Sequence, residues 1–443
     1  MAKGQGSSSI QSMPIHLPPT GPTVSRRARK LSNEDSAIAR FRYTSGLDDP
    51  SQGTEARYHT IATWIFLGSL FGVGMLPLKE LFQFAVDNRV AILEASGRSA
   101  MKVNSSGRTL GVRDRLDRPM RDLRISITDR CNFRCRYCMP REVFGEGYQF
   151  LPREEILSFE EITRLIHIFR GLGVRKVRLT GGEPLLRSEL PKLIGMLAEI
   201  PGLEIAMTTN GSLLAQQAQA LAEAGPVRLT VSIDSLDEAV FQAMNDADFP
   251  VSRVLEGIEA ATAAGLGPLK VNAVVRRGVN DHTVVGLARY FQGSGHILRF
   301  IEYMDVGSTN GWRMEEVVPG AEIIERISAE MPLEPLDPNY RGEVAKRWRY
   351  ADGDGEIGVI TSVTQPFCVD CTRARLSAAG ELYTCLFAAA GTDLRTPLRD
   401  GTDEEEIGER VRRLWGVRED RYSEMRSEET RDLQRIEMSY IGG

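Results

Sequence analysis

One rhythm governs residues 123–301: a short stretch of alternating apolar and polar residues, a turn, then an amphipathic helical run, repeated. Read at period two, it predicts six strands, at Leu123–Thr128, Val174–Leu179, Ile205–Thr208, Val227–Ile233, Leu269–Val275 and Ile297–Ile301. Helices fill the intervals. The first opens at Ser158-Phe159-Glu160-Glu161, a capping-box sequence, and is expected to run to Arg170. Such alternation implies a parallel sheet with right-handed crossovers. The expected fold class is α/β: an incomplete (β/α)6, TIM-like barrel rather than a full eight-stranded one. Chemistry in such barrels sits at the C-terminal ends of the strands. The barrel is expected over residues 111–315. From 316 to 443 the repeat is lost, with Asp337 to Arg349 reading as loop and Arg410–Trp415 as helix.

Directly after the first strand come Cys131, Cys135 and Cys138, spaced C-x3-C-x2-C. Soft thiolates select zinc or iron–sulfur clusters. A structural zinc site closes with four protein ligands, and no fourth Cys or His lies nearby in sequence. A [4Fe–4S] cube held by three thiolates keeps one iron for another ligand. The spacing resembles the signature of the radical S-adenosylmethionine (SAM) enzymes. The resemblance implies that the amino and carboxylate groups of SAM's methionine part chelate the open iron. It also implies that Tyr137, the aromatic between the second and third cysteines, contacts SAM.

The chain has six cysteines, all in two triplets, the second being Cys368, Cys371 and Cys385. None is left over for a disulfide framework, which suits a reducing compartment and metal binding. Charged residues make up 26% of the 443 and the net charge is -5, so no global basic surface invites nucleic acid or a membrane. Residues 1–100 differ from the rest. Met1 to Asn33 reads as disordered, and its basic, Ser-rich, acid-poor composition also suits an organellar transit peptide. Ile61 to Leu78 carries no charge and nearly reaches the ~20 residues of a membrane span. Three readings stand for it: a marginal anchor, a buried packing segment, or translated sequence upstream of a true start at Met101. The last is favoured. The expected location is the cytoplasm, with the mitochondrial matrix as second choice.

Thr180-Gly181-Gly182-Glu183-Pro184 follows a strand, and paired glycines allow close backbone approach. It is similar to the radical SAM glycine-rich loop, which implies that Gly182 meets SAM's amino group. By the same resemblance Ser232 and Met304 bind SAM. The second triplet again supplies three thiolates, and Thr372-Arg373-Ala374-Arg375 sits among them. Two guanidiniums beside a cluster suit an anion such as phosphate.

Both triplets, the Arg-Ala-Arg segment and the terminal Gly442-Gly443 together resemble the GTP 3′,8-cyclase family of molybdenum-cofactor biosynthesis, from about Gly111 to Gly443. The resemblance implies a radical SAM barrel followed by a C-terminal region, 316–443, with a second [4Fe–4S] cluster. It implies GTP contacts at Arg124, Arg178, Thr208, Lys270, Arg373, Ala374 and Arg375, and a Gly-Gly tail required for activity. The reaction implied is conversion of GTP to (8S)-3′,8-cyclo-7,8-dihydroguanosine 5′-triphosphate through a 5′-deoxyadenosyl radical. No side chain is expected as acid or base. The partners expected are GTP, an electron donor and, as an option, a second copy of the chain. A peptide-modifying radical SAM enzyme with an auxiliary cluster shares the cysteine pattern, but gives no reason for Arg-Ala-Arg or Lys270. A non-catalytic zinc module is the other alternative.

Overall fold

The computed structural model describes residues 111–427 and 433–442. The chain divides into two units, Met1–Ala100 and Met101–Gly443, and the described residues all belong to the second. The expectations for residues 1–100, including Ile61 to Leu78, and for Gly443 lie outside the described residues. Among those described, no helix is long and apolar enough to cross a membrane.

The six expected strands are present: β1 (Asp122–Ser126), β2 (Lys176–Thr180), β3 (Glu204–Thr209), β4 (Val227–Ser232), β5 (Lys270–Val275) and β6 (Ile297–Glu302). They pair in sequence order, all parallel. Between them run α1 (Phe159–Gly171), α2 (Leu190–Ala198), α3 (Leu214–Ala224), α4 (Glu238–Asn245), α5 (Val251–Ala263) and α6 (Val284–Phe291). The capping box at the start of α1 forms in both directions. The Ser158 hydroxyl accepts from the Glu161 amide at 3.1 Å, and the Glu161 carboxylate accepts from the Ser158 amide at 2.7 Å. α1 then buries Ile162, Leu165, Ile166 and Phe169. Each such side chain contributes roughly 1.5–3 kcal/mol on leaving water.

The C-terminal region continues the same sheet rather than leaving it. β9 (Glu356–Ile360) pairs parallel with β6, and β10 (Arg373–Leu376) pairs parallel with β1. Antiparallel strands finish the edges: β7 (Leu333–Leu336) and β8 (Lys346–Tyr350) beyond β9, and β11 (Glu381–Tyr383) and β12 (Thr392–Asp393) beyond β10. The sheet thus has twelve strands and stays open, an incomplete barrel with its parallel part widened at both edges. The loop expected from Asp337 to Arg349 is corrected here, because Lys346–Tyr350 is a strand. Lys346-Arg347-Trp348-Arg349 carries too much charge for a core pattern. Its backbone is instead satisfied between β7 and β9, with salt bridges across the hairpin from Arg347 to Glu356 and Arg349 to Glu334.

Period two decides what faces where. On β2, Val177 and Leu179 are fully buried against the helices, and Lys176, Arg178 and Thr180 line the inner face. β1 does the same with Leu123 and Ile125 outward, and Asp122 and Arg124 inward. TIM barrels fill their interior with layers of branched apolar side chains. Here those positions are polar or cationic, so the interior remains a cavity.

Candidate active site

A cavity of about 370 Å³ occupies the concave face of the sheet. Its walls come from β1 to β6, β9 and β10, and from both cysteine triplets: Cys135 and Cys138 of the first, Cys368, Cys371 and Cys385 of the second. Parallel register separates the two groups. Asp122, which begins β1, pairs with Arg373, which begins β10. Cys371 precedes that start, whereas Cys131 follows the end of β1. Five residues of strand rise about 16 Å at ~3.3 Å each. One triplet therefore lies at the C-terminal end of the parallel strands and the other at the N-terminal end. The rule that chemistry collects at the C-terminal ends holds for the first triplet only.

The first loop is fastened to the glycine turn. The Gly182 amide donates to the Thr128 carbonyl at 2.8 Å and the Glu183 amide to the Arg130 carbonyl at 2.8 Å. A Cβ on Gly181 would meet the Thr128 carbonyl oxygen at 2.3 Å, and one on Gly182 the Arg130 oxygen at 2.1 Å. The close approach expected of these glycines is made to the cysteine loop's own backbone. Gly181 lines the cavity, and Gly182 sits behind it. The Glu183 carboxylate is buried, and that burial pushes it up to about 7. It is occupied by the Thr209 hydroxyl at 2.7 Å and the amides of Asn210 and Leu185 at 2.7 and 3.0 Å.

Tyr137 lines the cavity and donates to Asp234 at 2.9 Å, whose other oxygen accepts from the Val274 amide at 2.8 Å. Ser232 and Met304 line the same space. Burial, then the nearby carboxylate of Glu183, pushes the Cys131 thiol up to about 12; burial and Asp234 raise Cys135, and burial raises Cys138. Such thiols give up their protons to a metal rather than to water. No three His, Cys, Asp or Glu side chains among the described residues converge closely enough to hold a single ion. A cube spreads its cysteines over separate corner irons. Three half-buried, unbridged thiols on one loop therefore suit a cluster better than a closed one-ion site.

Between the triplets stands a wall of cations. Arg375, Arg124 and Arg178 are register neighbours on β10, β1 and β2, and Lys270, Arg299, Lys176, Arg373, Arg347 and Arg418 also line the cavity. Of these, Lys176, Arg347 and Arg418 have a described carboxylate within ion-pair distance (Asp122 at 4.0 Å, Glu356 at 2.7 Å and Asp114 at 3.0 Å), whereas Arg124, Arg178, Lys270, Arg299, Arg373 and Arg375 have none. Arg178 leans on hydroxyls, donating to Thr208 at 3.0 Å and Thr230 at 3.1 Å. Burial, then Arg375, Arg373 and Arg178, drives the Arg124 guanidinium well below its usual range. Burial and Arg299 bring Lys270 down to about 8. Ala374 does not line the cavity. It packs in the core, so that its two neighbours share the inner face. Sequence reasoning assigned no role to Lys176, Arg299, Asn272 or Asp234. Lys176 was within reach, since it lies two residues before Arg178 on one strand. The Arg299 Nε and the Asn272 Oδ1 are buried without hydrogen-bond partners, and the two residues are register neighbours on β6 and β5.

At the second triplet, burial alone would raise the Cys371 thiol, but the guanidiniums of Arg373 and Arg418 outweigh it and bring it to about 6. Gly442 packs behind two lining residues, Arg375 and Thr180. Its carbonyl accepts from Arg375, its φ is +77°, and a Cβ there would meet the Thr180 side chain at 2.8 Å.

Two family descriptions match the chain: Radical SAM superfamily over residues 125–291 and Molybdenum Cofactor Synthesis C over 296–424. A protein of Acidothermus cellulolyticus named GTP 3′,8-cyclase is 56% identical over 361 residues, which is 76% of this chain and 100% of the relative. The chain belongs to the GTP 3′,8-cyclase family. Family members of the same name from Xanthomonas campestris pv. campestris (strain B100) and Staphylococcus saprophyticus are 52% and 48% identical. Each alignment spans 75% of this chain, and 97% and 99% of the relative respectively. Membership in this radical SAM family implies SAM and a [4Fe–4S] cluster. Among solved structures, Streptococcus suis SuiB bound to S-adenosylmethionine aligns with a TM-score of 0.49 at 14% identity, covering 82% of this chain and 80% of that one.

The glycine turn yields a prediction. Gly182→Ala forces a Cβ onto the Arg130 carbonyl, an overpacking that costs about 1–3 kcal/mol. Thermal denaturation is expected to shift downward, and iron assays to show loss centred on the first triplet.

Proposed function

We propose that this member of the family is itself a radical SAM GTP 3′,8-cyclase, converting GTP to (8S)-3′,8-cyclo-7,8-dihydroguanosine 5′-triphosphate, the first step of molybdenum-cofactor biosynthesis. The observation that carries this reading is the meeting, in one cavity, of both cysteine triplets and a wall of cations, among which Arg124, Arg178, Lys270, Arg299, Arg373 and Arg375 have no described carboxylate within ion-pair distance. When bound and given one electron by the donor, the first cluster and SAM would supply the radical chemistry needed at the ribose of GTP.

The chain's own share is to bind, orient and exclude water. In this reading Cys131, Cys135 and Cys138 would hold the first cluster, with Tyr137, Ser232 and Met304 around SAM, and Gly182 would act by fastening the cysteine loop rather than by contact. Cys368, Cys371 and Cys385 would hold a second [4Fe–4S] cluster, which would supply a site for the purine. Arg124, Arg178, Lys270, Arg373 and Arg375 take the triphosphate, which brings about four negative charges to cations that lack a described ion-pair partner. Thr208 keeps Arg178 turned inward, and Ala374 spaces the two arginines of β10. Gly442 supports the tail's role, since the approach to Thr180 has no room for a side chain. The partners are GTP, an electron donor and, as an open option, a second copy of the chain. We place the enzyme in the cytoplasm. The curated relatives are bacterial, which lends the mitochondrial alternative no support.

Anaerobic incubation with GTP, SAM and dithionite is expected to release 5′-deoxyadenosine and a cyclised nucleotide; absence of both sinks the reading. Cys385→Ala should keep part of the SAM cleavage and lose GTP turnover, and iron should fall from about eight to about four per chain. Loss of the first cluster's iron on that change would count against two separate sites. Lys270 adds a pH signature. Its pKa in the free protein lies near 8, well under that of an exposed lysine, and a bound triphosphate favours the charged form. GTP affinity should therefore hold below pH 8 and fall above it, by at most about tenfold per unit from this group. Titrations of GTP binding between about pH 7 and 9.5 should show the decline, less steep in Lys270→Met. A slope identical in the variant would exclude Lys270 as its source.

A further inference from the structure

One buried ionic network touches every arm of the second cysteine triplet. Asp114 is its hinge. The carboxylate accepts from Arg118 Nε at 2.6 Å and Arg418 Nη1 at 3.0 Å, and all three side chains are at most 2% exposed. From there the two arginines reach outward. Arg118 Nη1 donates to the Cys368 carbonyl at 2.8 Å. Arg418 donates to the Cys371 carbonyl at 3.0 Å and to the carbonyl of Thr384, the residue before Cys385, also at 3.0 Å. The arrangement is itself held. Arg418 stacks on Trp415 at 4.5 Å, and the Trp415 indole donates to the Arg118 carbonyl at 3.0 Å. Arg418 also pairs with Asp420 at 3.1 Å.

The network treats the three sulfurs unequally. Cys371 Sγ receives two guanidinium donors, Arg373 Nη2 and Arg418 Nη2, each at 3.4 Å. Cys385 Sγ receives a single backbone amide, that of Phe387, at 3.5 Å. A thiolate that accepts charge-assisted hydrogen bonds gives less electron density to its iron, and hydrogen bonds to sulfur are among the factors that set a cluster's reduction potential. Burying a carboxylate with two guanidiniums is costly unless every group is satisfied. A site that must hold three loop segments ready for a cluster gives a reason to retain them.

We propose that Asp114, Arg118 and Arg418 form a clamp that pre-orders the second triplet, and that Arg418 with Arg373 tunes that cluster through the Cys371 sulfur. The proposal rests on the two-cluster reading. These are positioning residues: through the backbone and one sulfur they act on the cluster, although Arg418 also borders the cavity.

The test uses the anaerobically reconstituted full chain with Arg418→Met, Arg418→Lys and Asp114→Asn. Iron and sulfide content, the electron paramagnetic resonance signals of the reduced protein and redox titration are the readouts. In Arg418→Met the second cluster should be lost to chelator at about 10- to 100-fold lower concentration than in the parent, with the first cluster's signal retained. What remains of the second cluster should titrate at a lower potential. Arg418→Lys keeps the charge but cannot reach both carbonyls and the sulfur together, so it should show the lowered potential with milder loss. Asp114→Asn should loosen the cluster without the full potential shift. Should Arg418→Met fail to fold, Arg418→Lys carries the potential measurement alone. A parent with about eight irons, and variants matching it in chelator resistance and potential, would overturn the clamp while leaving the two-cluster reading standing. A parent with about four irons would overturn both.

Discussion

Positive charge buried without matching carboxylates is the constraint on which this structure turns. Arg375, Arg124 and Arg178 stand side by side on adjacent strands, where neighbouring backbones are about 4.8 Å apart. Like charges placed opposite one another destabilise a sheet, and desolvation adds to the cost. The surrounding structure is arranged to tolerate this. Apolar residues are moved to the helix-facing side of every central strand, hydroxyls of Thr208 and Thr230 take Arg178, and the tail carbonyl of Gly442 takes Arg375. What remains unsatisfied faces a common space. A polyanion entering it would relieve that repulsion.

Parallel strands add direction to that space. A parallel sheet has two chemically distinct ends, and here each carries three cysteines. The first triplet follows β1 in a loop pinned by the Gly181-Gly182 turn. In the second, Cys368 and Cys371 precede β10 and Cys385 follows β11, and the Asp114 network pins the three segments. The cations occupy the strand lengths between. A substrate with a long charged portion can thus be gripped along the strands while its ends meet different cysteine triplets.

Much of the parallel core was legible because it is local. The alternation of Lys176-Val177-Arg178-Leu179 declares both a strand and its two faces. The capping box at Ser158 marks the start of α1 to within a residue. Chemistry of the cysteine loop follows from ligand counting within eight residues. The edges were harder to read. Lys346 to Arg349 looks like solvent-exposed loop, and becomes strand only because β7 and β9 lie on either side to receive its hydrogen bonds. β9 and β10 have ordinary strand composition, but nothing in them says that they join β6 and β1.

Sequence by itself determined the kind of ligand each motif can hold, because donor type, charge and short-range spacing are properties of a few adjacent residues. It also determined the inner and outer faces of the central strands, since side-chain period two is built into the backbone. Only the tertiary structure decided which motifs share a cavity, that the two triplets sit at opposite ends of the strands, and that Asp114 and Arg418 stand together beside Cys371. These are long-range outcomes. They depend on the register between segments hundreds of residues apart, and register is set by the summed packing of the whole sheet rather than by any stretch within it.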